Sequence, residues 1–207
     1  NEEENNTFTY GKKTIEEKDN QTIKCKKEGV KLKNSNWRDK IKISFSAPTI
    51  WGVPENSEES FITYEAKHVL HQWSGQNKNI KGVLILKEDK PEKIAVTTNI
   101  SDFDSGNSSR DSNALEILEA LVFPRISYFA ENFNLDNNKL NISGKMKFHG
   151  IEKNIVIKTS YEKLQKKIVL KGNLIIKPSD FQIKLPVFML VKMEDNLVIN
   201  YELIFSN

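Results

Sequence analysis

Residues 139–148 read Lys-Leu-Asn-Ile-Ser-Gly-Lys-Met-Lys-Phe, and this stretch decides the fold. Apolar residues and one glycine occupy every second position, whereas lysine, asparagine and serine occupy the positions between them. Successive side chains of a β-strand point to opposite faces of the sheet. The period of two therefore predicts a strand with one dry face and one wet face.

The same alternation recurs along the chain after residue 57. It is visible in residues 61–66, 78–86, 93–100, 155–161, 167–176 and 197–205. The breaks at Asp136–Asn138 and His149–Gly150 favour hairpin turns. Many short strands joined by turns predict antiparallel sheets. About eight strands with one apolar face can close into a barrel or pack as two sheets.

Residues 112–122 break this pattern and predict one amphipathic helix between two strands. Their apolar positions recur at helical spacing: Leu115, Leu118 and Val122. Either Asp111 or Ser112 can cap the start by accepting from a free backbone N–H group. Pro124 is expected to end the helix, because proline cannot continue it.

The first 56 residues differ from the rest. Short strand-like runs occur at 22–26, 30–33 and 40–45. Residues 48–57, which are rich in proline, glycine and polar residues, are typical of a connector. We therefore predict an N-terminal extension, residues 1–56, that is partly ordered and has room for extra strands. Residues 57–207 form the predicted barrel domain.

Composition argues against several classes of protein. Lys and Arg number 31 against 28 Asp and Glu, a net charge of +3, which does not indicate a nucleic-acid partner. The single cysteine, Cys25, allows no intrachain disulfide and no cysteine metal cluster. No apolar run approaches the ~18 residues that span a bilayer. The chain starts at Asn1, which we interpret as following a removed targeting segment, and we expect a secreted, periplasmic or cell-envelope protein.

Three histidines could carry chemistry. His68 and His71 are three apart, so on a straight strand they point to opposite faces, and only a helix or a bend would bring both to one metal. His149 precedes Gly150 and suits a turn. The sequence contains no Gly-x-Ser-x-Gly motif and no glycine-rich phosphate loop. We expect no catalytic and no metal-binding residues, and keep a hydrolase or metal-dependent enzyme that uses these histidines as an alternative.

Arg110 and Asp111 stand at the start of the predicted helix. One interpretation is an anchor for an anionic head group near a helix N-terminus. The other, which we favour, is a local ion pair combined with a helix cap. On that interpretation the pair lies outside the lumen and fixes the helix.

Several segments resemble the YceI-like family of lipocalin-like, polyisoprenoid-binding proteins and occur in the family's order. They are Ser60–His68, His71–Gly75, Ile80–Ile85, Phe103–Asp111, Phe123–Phe129, Ile142–Gly150 and Ser179–Ile183. The most specific is Phe103-Asp-Ser-Gly-Asn-Ser-Ser-Arg-Asp111, followed by the helix and an aromatic-proline pair. The first 56 residues have no counterpart in the family, and the loop at residues 185–190 is unusually apolar.

The resemblance implies an antiparallel, lipocalin-like β-barrel of about eight strands with one amphipathic helix laid against it. It implies binding, storage or transport of a long apolar lipid in the lumen, of isoprenoid, polyprenyl or quinone type. It implies no catalysis and no cofactor other than such a lipid. Peripheral or lipid-anchored membrane association stays open, and no oligomeric state is predicted.

In a closed barrel every second residue points inward. Lysines at the intervening positions, such as Lys145 and Lys171, cannot be buried unpaired, so the apolar face is the inner one. The predicted ligand-binding residues, the last two near an opening, are Ile94, Val96, Leu140, Ile142, Met146, Phe148, Leu170, Leu174, Phe181 and Phe188. Periodicity does not distinguish a lumen that holds lipid from one filled by side chains. A ligand-free structural or protein-binding barrel is therefore a further alternative.

Overall fold

The computed structural model describes residues 48–54, 59–188 and 191–207, with the backbone of residues 9–10 and 13–14. The chain separates into two compact units, Asn1–Ser44 and Phe45–Asn207. In the first unit, strands β1 (Thr9–Tyr10) and β2 (Lys13–Thr14) pair antiparallel. The strand-like runs predicted between residues 22 and 45 lie outside the described residues, and the division of the chain after residue 56 stays a prediction.

The described residues of the second unit form twelve strands, one helix and two 3₁₀ turns. The helix is α1 (Ser108–Ile117), and the 3₁₀ turns are Ile100–Asp102 and Pro178–Phe181. The strands are β3 (Thr49–Gly52), β4 (Phe61–His68), β5 (His71–Asn77), β6 (Ile80–Lys87), β7 (Lys90–Asn99), β8 (Arg125–Asp136), β9 (Lys139–Phe148), β10 (Ile151–Lys163), β11 (Lys167–Ile176), β12 (Val187–Phe188), β13 (Val191–Lys192) and β14 (Leu197–Ser206).

Eight of these strands close into an antiparallel barrel, which confirms the predicted fold. Strands β6 to β11 pair in sequence order, and β14 pairs with β11 along its whole length. Strand β3 completes the ring because it pairs with β6 and meets β14 at Gly52 and Ser206. The β4–β5 hairpin adds to the first half of β14, with Glu65 opposite Val198.

The prediction of a connector at residues 48–57 was wrong for Thr49–Gly52, which forms β3. Prolines at positions 48 and 54 flank the strand and do not interrupt it, so they remove no hydrogen-bond donor from its interior. The Trp51 side chain is buried in the barrel core. Four residues between two prolines are thus enough to close the ring, although their surroundings are typical of a loop.

The strand directions divide the connections between two ends of the barrel. Because the pairings are antiparallel, the connections after β4, β7, β9 and β11 lie at one end, which we call the open end (residues 69–70, 100–124, 149–150 and 177–196). The other, the packed end, holds residues 88–89, 137–138 and 164–166. The predicted hairpin turns are confirmed at both ends, since Asn137 and Asn138 have φ of 44° and 65°, and His149 and Gly150 have φ of 49° and 74°.

The helix begins and ends earlier than its apolar spacing predicts. Gly106 has a φ of 72° and turns the chain, after which Asn107 is extended and its side chain accepts from the Arg110 backbone N–H at 3.0 Å. Asn107 is therefore the cap, and the assignment of the cap to Asp111 or Ser112 was wrong. The helix ends at Ile117, before Pro124, because Glu119 already adopts a φ of 46°.

Candidate functional site

The lumen contains a cavity of about 790 Å³, which lies toward the open end. Side chains from β4, β5, β7 to β11, β14 and α1 form its wall, together with residues of the 177–196 segment. Isoleucine, leucine, valine, methionine and aromatic residues make up most of this wall. Cavities of roughly 300–1,000 Å³ with apolar walls are typical of sites that enclose a small molecule.

Seven of the ten predicted ligand-binding residues line this cavity. They are Ile94, Val96, Ile142, Met146, Phe148, Leu170 and Leu174. Leu140 points inward as predicted but lies at the packed end, where it is fully buried among other core side chains. Phe181 packs on Phe148 with ring centroids 5.4 Å apart and does not reach the cavity. The side chain of Phe188 lies outside the described residues, and the contact of the seven with a ligand stays a prediction.

Two glycines on the apolar face, Gly144 and Gly172, leave space that tyrosine rings occupy. A Cβ added at Gly172 would lie 2.5 Å from Tyr201 Oη. One added at Gly144 would lie 2.8 Å from Tyr128 Cζ and would overlap the Phe129 carbonyl oxygen. Both tyrosines line the cavity and belong to the buried core. Their rings lie within the lumen, and the missing side chains at the two glycines leave room for them.

Burial raises the pKa of both of these phenols. Tyr128 Oη lies 2.9 Å from the Ile142 carbonyl oxygen, to which it donates, and burial raises the pKa of the phenol well above its ordinary value. The nearby Tyr201 adds to that rise, and burial also raises the pKa of Tyr201. Both phenols are thus held neutral, which keeps charge out of the apolar lumen.

The histidines do not converge on one point. His68 ends β4 and His71 begins β5, so the hairpin bend places them opposite each other, with ring centroids 5.6 Å apart on the cavity wall. His149 lies in the β9–β10 turn, 3.0 Å from the Phe181 carbonyl oxygen through Nδ1 and 3.0 Å from the Glu119 carboxylate through Nε2. Among residues 48–54, 59–188 and 191–207, no three His, Cys, Asp or Glu side chains are grouped so as to hold a metal.

Arg110 and Asp111 were predicted to lie outside the lumen as an ion pair, and both parts of that prediction were wrong. Both residues line the cavity at the open end. The Asp111 carboxylate accepts from the Ser105 backbone N–H at 3.2 Å, and Arg110 Nη1 lies 3.4 Å from Ser105 Oγ. The physical reason is the earlier start of the helix at Ser108, which places both residues within its first turn and on the side that lines the cavity.

Sequence reasoning missed Trp73, which lies between His71 and Arg110 on the cavity wall. Its ring centroid is 5.2 Å from that of His71, and the Arg110 guanidinium carbon lies 6.0 Å from the Trp73 ring. Only the position of Trp73, two residues after His71 on the same face of a strand, could have indicated this arrangement. The position of Arg110 depends on a cap that the apolar pattern does not mark.

Comparisons with known proteins agree with the fold. The chain matches the family model described as YceI-like domain over residues 54–205. The crystal structure of BcnA from Burkholderia cenocepacia is 17% identical, with a TM-score of 0.63, and the alignment covers 70% of this chain and 95% of that one. A polyisoprenoid binding domain from Saccharophagus degradans is 11% identical, with a TM-score of 0.59 and coverages of 76% and 97%.

The YceI protein of Campylobacter jejuni is 19% identical, with a TM-score of 0.59, and the alignment covers 86% of this chain and 99% of that one. At these identities the structural likeness shows the fold alone. A comparison with curated protein sequences finds no match.

Proposed function

We propose, on the premise that this chain belongs to the YceI-like domain family, that its barrel binds and carries a long apolar lipid without catalysis. The lipid class that we propose is an isoprenoid, either a polyprenyl chain or a quinone with such a tail. The observation that carries the proposal is the cavity of about 790 Å³ inside a closed barrel, with its largely apolar wall.

The energetics favour an apolar occupant. An apolar wall that faces empty space or water lacks dispersion contacts on one side. A hydrocarbon chain supplies those contacts and removes apolar surface from water, at roughly 25 cal/mol per Å² before the cost of immobilisation. A filled lumen, which the ligand-free alternative requires, would leave no such space. The charged side chains of the wall lie at the open end, whereas the polar side chains farther in include the neutral phenols of Tyr128 and Tyr201, so the inner part of the cavity suits an apolar chain and not a charged head group.

Exposed apolar side chains at the open end support uptake of the lipid from a membrane surface. Val69 and Leu70 form the tip of the β4–β5 hairpin, and Leu121 and Val122 follow α1. All four are exposed, and Val187 adds a fifth apolar side chain in the 177–196 segment. We propose that this rim contacts a bilayer peripherally, in the cell envelope. No helix in the described part of the chain is long and apolar enough to cross a membrane.

The enzyme alternative gains no geometric support. His149 is occupied by the Phe181 carbonyl and the Glu119 carboxylate and is not part of the cavity wall. His68 and His71 reach the cavity, but the described residues add no third ligand there. Assays of esters and phosphoesters with a triple His→Ala variant would test this alternative directly, and turnover that disappears in that variant would contradict the carrier proposal.

A matched pair of substitutions tests the proposed function. The protein is stripped of lipid, loaded with a polyprenol and weighed by native mass spectrometry. Ile142 lines the cavity, whereas Val156 is exposed on the outer wall. Ile142→Gln is expected to reduce loading severalfold because it places an amide in the apolar lumen, and Val156→Gln is expected to match wild type. Failure of the wild-type protein to take up any apolar lipid would contradict the proposal.

A further inference from the structure

Arg110 is unusual among the charged side chains of the barrel in facing the lumen with few partners. No carboxylate of the described residues lies within 4.0 Å of its guanidinium group. Its side-chain hydrogen bonds to the Ser105 carbonyl and hydroxyl oxygens are long, at 3.5 Å and 3.4 Å. An arginine carries five N–H donors, and most of those on Arg110 lack an acceptor among the described residues.

The surroundings of Arg110 give it a fixed place at the cavity mouth. Its guanidinium carbon lies 6.0 Å from the Trp73 ring, a distance at which a cation is attracted to an aromatic face. The ring of His71 also packs on Trp73, with ring centroids 5.2 Å apart. Asn107 caps the helix turn that carries Arg110. The Arg110 guanidinium therefore lies beside the Trp73 ring with N–H groups available to donate.

The charges nearby limit which head group this donor suits. Asp111 and Glu116 lie on the same wall, so two carboxylates stand against one guanidinium. A phosphate or diphosphate would bring its negative charge near these carboxylates, which weakens its attraction to the guanidinium. A carbonyl or hydroxyl oxygen can accept from Arg110 without adding negative charge, and hydrogen bonds to a charged donor are among the stronger ones.

We propose that Arg110, held beside Trp73, binds the uncharged oxygen of the lipid's head group and so selects the class of lipid. The head group then lies at the open end and the chain extends toward Tyr128 and Tyr201. This assignment rests on the proposed function and adds to it a polar group that the ligand must carry, a hydroxyl or carbonyl oxygen.

The test compares three probes of equal chain length: a polyprenol, the corresponding diphosphate and the corresponding hydrocarbon. Arg110→Gln is expected to weaken binding of the polyprenol by about tenfold or more and to leave binding of the hydrocarbon unchanged. Arg125→Gln makes the same chemical change at an exposed arginine outside the cavity wall and is expected to match wild type. Unchanged hydrocarbon binding also shows that the Arg110→Gln protein is folded.

The possible failures are distinguishable. If the hydrocarbon binds but Arg110→Gln leaves the polyprenol affinity unchanged, the head-group site is wrong and the carrier function stands. If the diphosphate binds more tightly than the polyprenol and Arg110→Gln abolishes that preference, the assignment to an uncharged head group is wrong. If the wild-type protein binds none of the three probes, the proposed function fails, and the head-group site fails with it.

Discussion

The two ends of the barrel are built from the same strands and the same alternation, yet one is solid and the other hollow. At the packed end, Leu84, Leu140 and Ile168 are each 0% exposed and belong to the buried core of the barrel. At the open end, Leu174 and Val96 occupy equivalent inward positions but are only partly buried, because they face the cavity. The direction in which a side chain points is thus set by its own strand. Whether a cavity remains in front of it depends on all the side chains at that level of the barrel.

This difference indicates that one end of the barrel contributes mainly to stability and the other to ligand binding. The packed end contains the largest fully buried aliphatic side chains, and such close-packed regions supply most of the stability of a domain. The open end leaves apolar surface uncovered, which costs stability and provides a place for a ligand. Substitutions of the same type at the two ends should therefore have unequal effects.

The largest difference is expected between Leu140→Ala and Leu174→Ala. Leu140→Ala creates a new cavity in the packed end and should lower the free energy of unfolding by about 2–5 kcal/mol. Leu174→Ala only enlarges an existing space and should cost about 1–2 kcal/mol. Urea denaturation of both variants measures the difference. Equal losses would mean that the two ends are packed alike and would contradict the comparison.

Gly144→Ala tests how closely the lumen is packed around Tyr128, between the two ends of the barrel. The added Cβ would overlap the Phe129 carbonyl and lie 2.5 Å from Ala130 Cβ, neither of which can move freely. Overpacking of this kind costs about 1–3 kcal/mol. In Gly52→Ala, the matched control in β3, the nearest atom is Gly82 O at 3.9 Å, an ordinary contact. Thermal unfolding should therefore separate the two variants, and a Gly144→Ala protein as stable as Gly52→Ala would show that β8 can move away from the added Cβ at no cost.

Alkaline pH should lower the stability of the barrel through Tyr128 and a second buried tyrosine, Tyr201. The pKa values of Tyr128 and Tyr201 are raised in the folded protein, so these phenols stay protonated where those of the unfolded chain, with an ordinary pKa of 10.0, ionise. The folded state then holds more protons, and the stability fully present below pH 10.0 is lost as pH rises above it. Each such tyrosine contributes a slope of up to about 1.4 kcal/mol per pH unit.

Removing one of these phenols should make that slope shallower. Tyr128→Phe loses the hydrogen bond to the Ile142 carbonyl oxygen and is expected to be less stable at neutral pH, yet to lose less stability on going alkaline. Denaturation curves at a series of pH values on both sides of the ordinary tyrosine pKa give the slope for both proteins. Identical slopes would show that Tyr128 ionises as freely in the folded barrel as in the unfolded chain.

The smallest effect is expected at the helix over the open end. Asn107→Ala removes the cap of α1 and should cost about 1 kcal/mol. The loss should appear as faster amide hydrogen exchange in α1, with strands at the packed end unchanged. Asn113→Ala makes the same substitution within the helix and removes no cap. If exchange rises equally throughout the barrel in Asn107→Ala, the open end does not unfold independently of the packed end.

The strands could be predicted from the sequence because their signal is local. Residues 139–148 alternate strictly, and the structure buries Leu140, Ile142 and Phe148 while Lys145 is exposed. The turns at Asn137–Asn138 and His149–Gly150 were predictable for the same reason, since their residues accept a positive φ. The family resemblance added closure of the barrel, which alternation alone leaves undecided between a barrel and two packed sheets.

The site was predictable only in part because its shape depends on contacts between distant residues. Leu140 and Leu174 have the same local pattern, and only the arrangement of the neighbouring strands determines which of them faces the cavity. The contact of Trp73 with Arg110 joins a hairpin to a helix 37 positions later, and the helix cap at Asn107 sets that distance. No periodicity in the sequence reports such a juxtaposition.

The closure of the ring by β14 affects how the chain folds during its synthesis. This strand pairs with β11, β4 and β3, and the Ser60 hydroxyl accepts from the Ile204 backbone N–H across 144 positions of sequence. During synthesis, all the other strands leave the ribosome before β14 does, so the ring cannot close and the apolar inner faces stay uncovered until the end. Contacts of such long range slow folding. The interval before β14 arrives is therefore the period in which this chain most needs protection from aggregation.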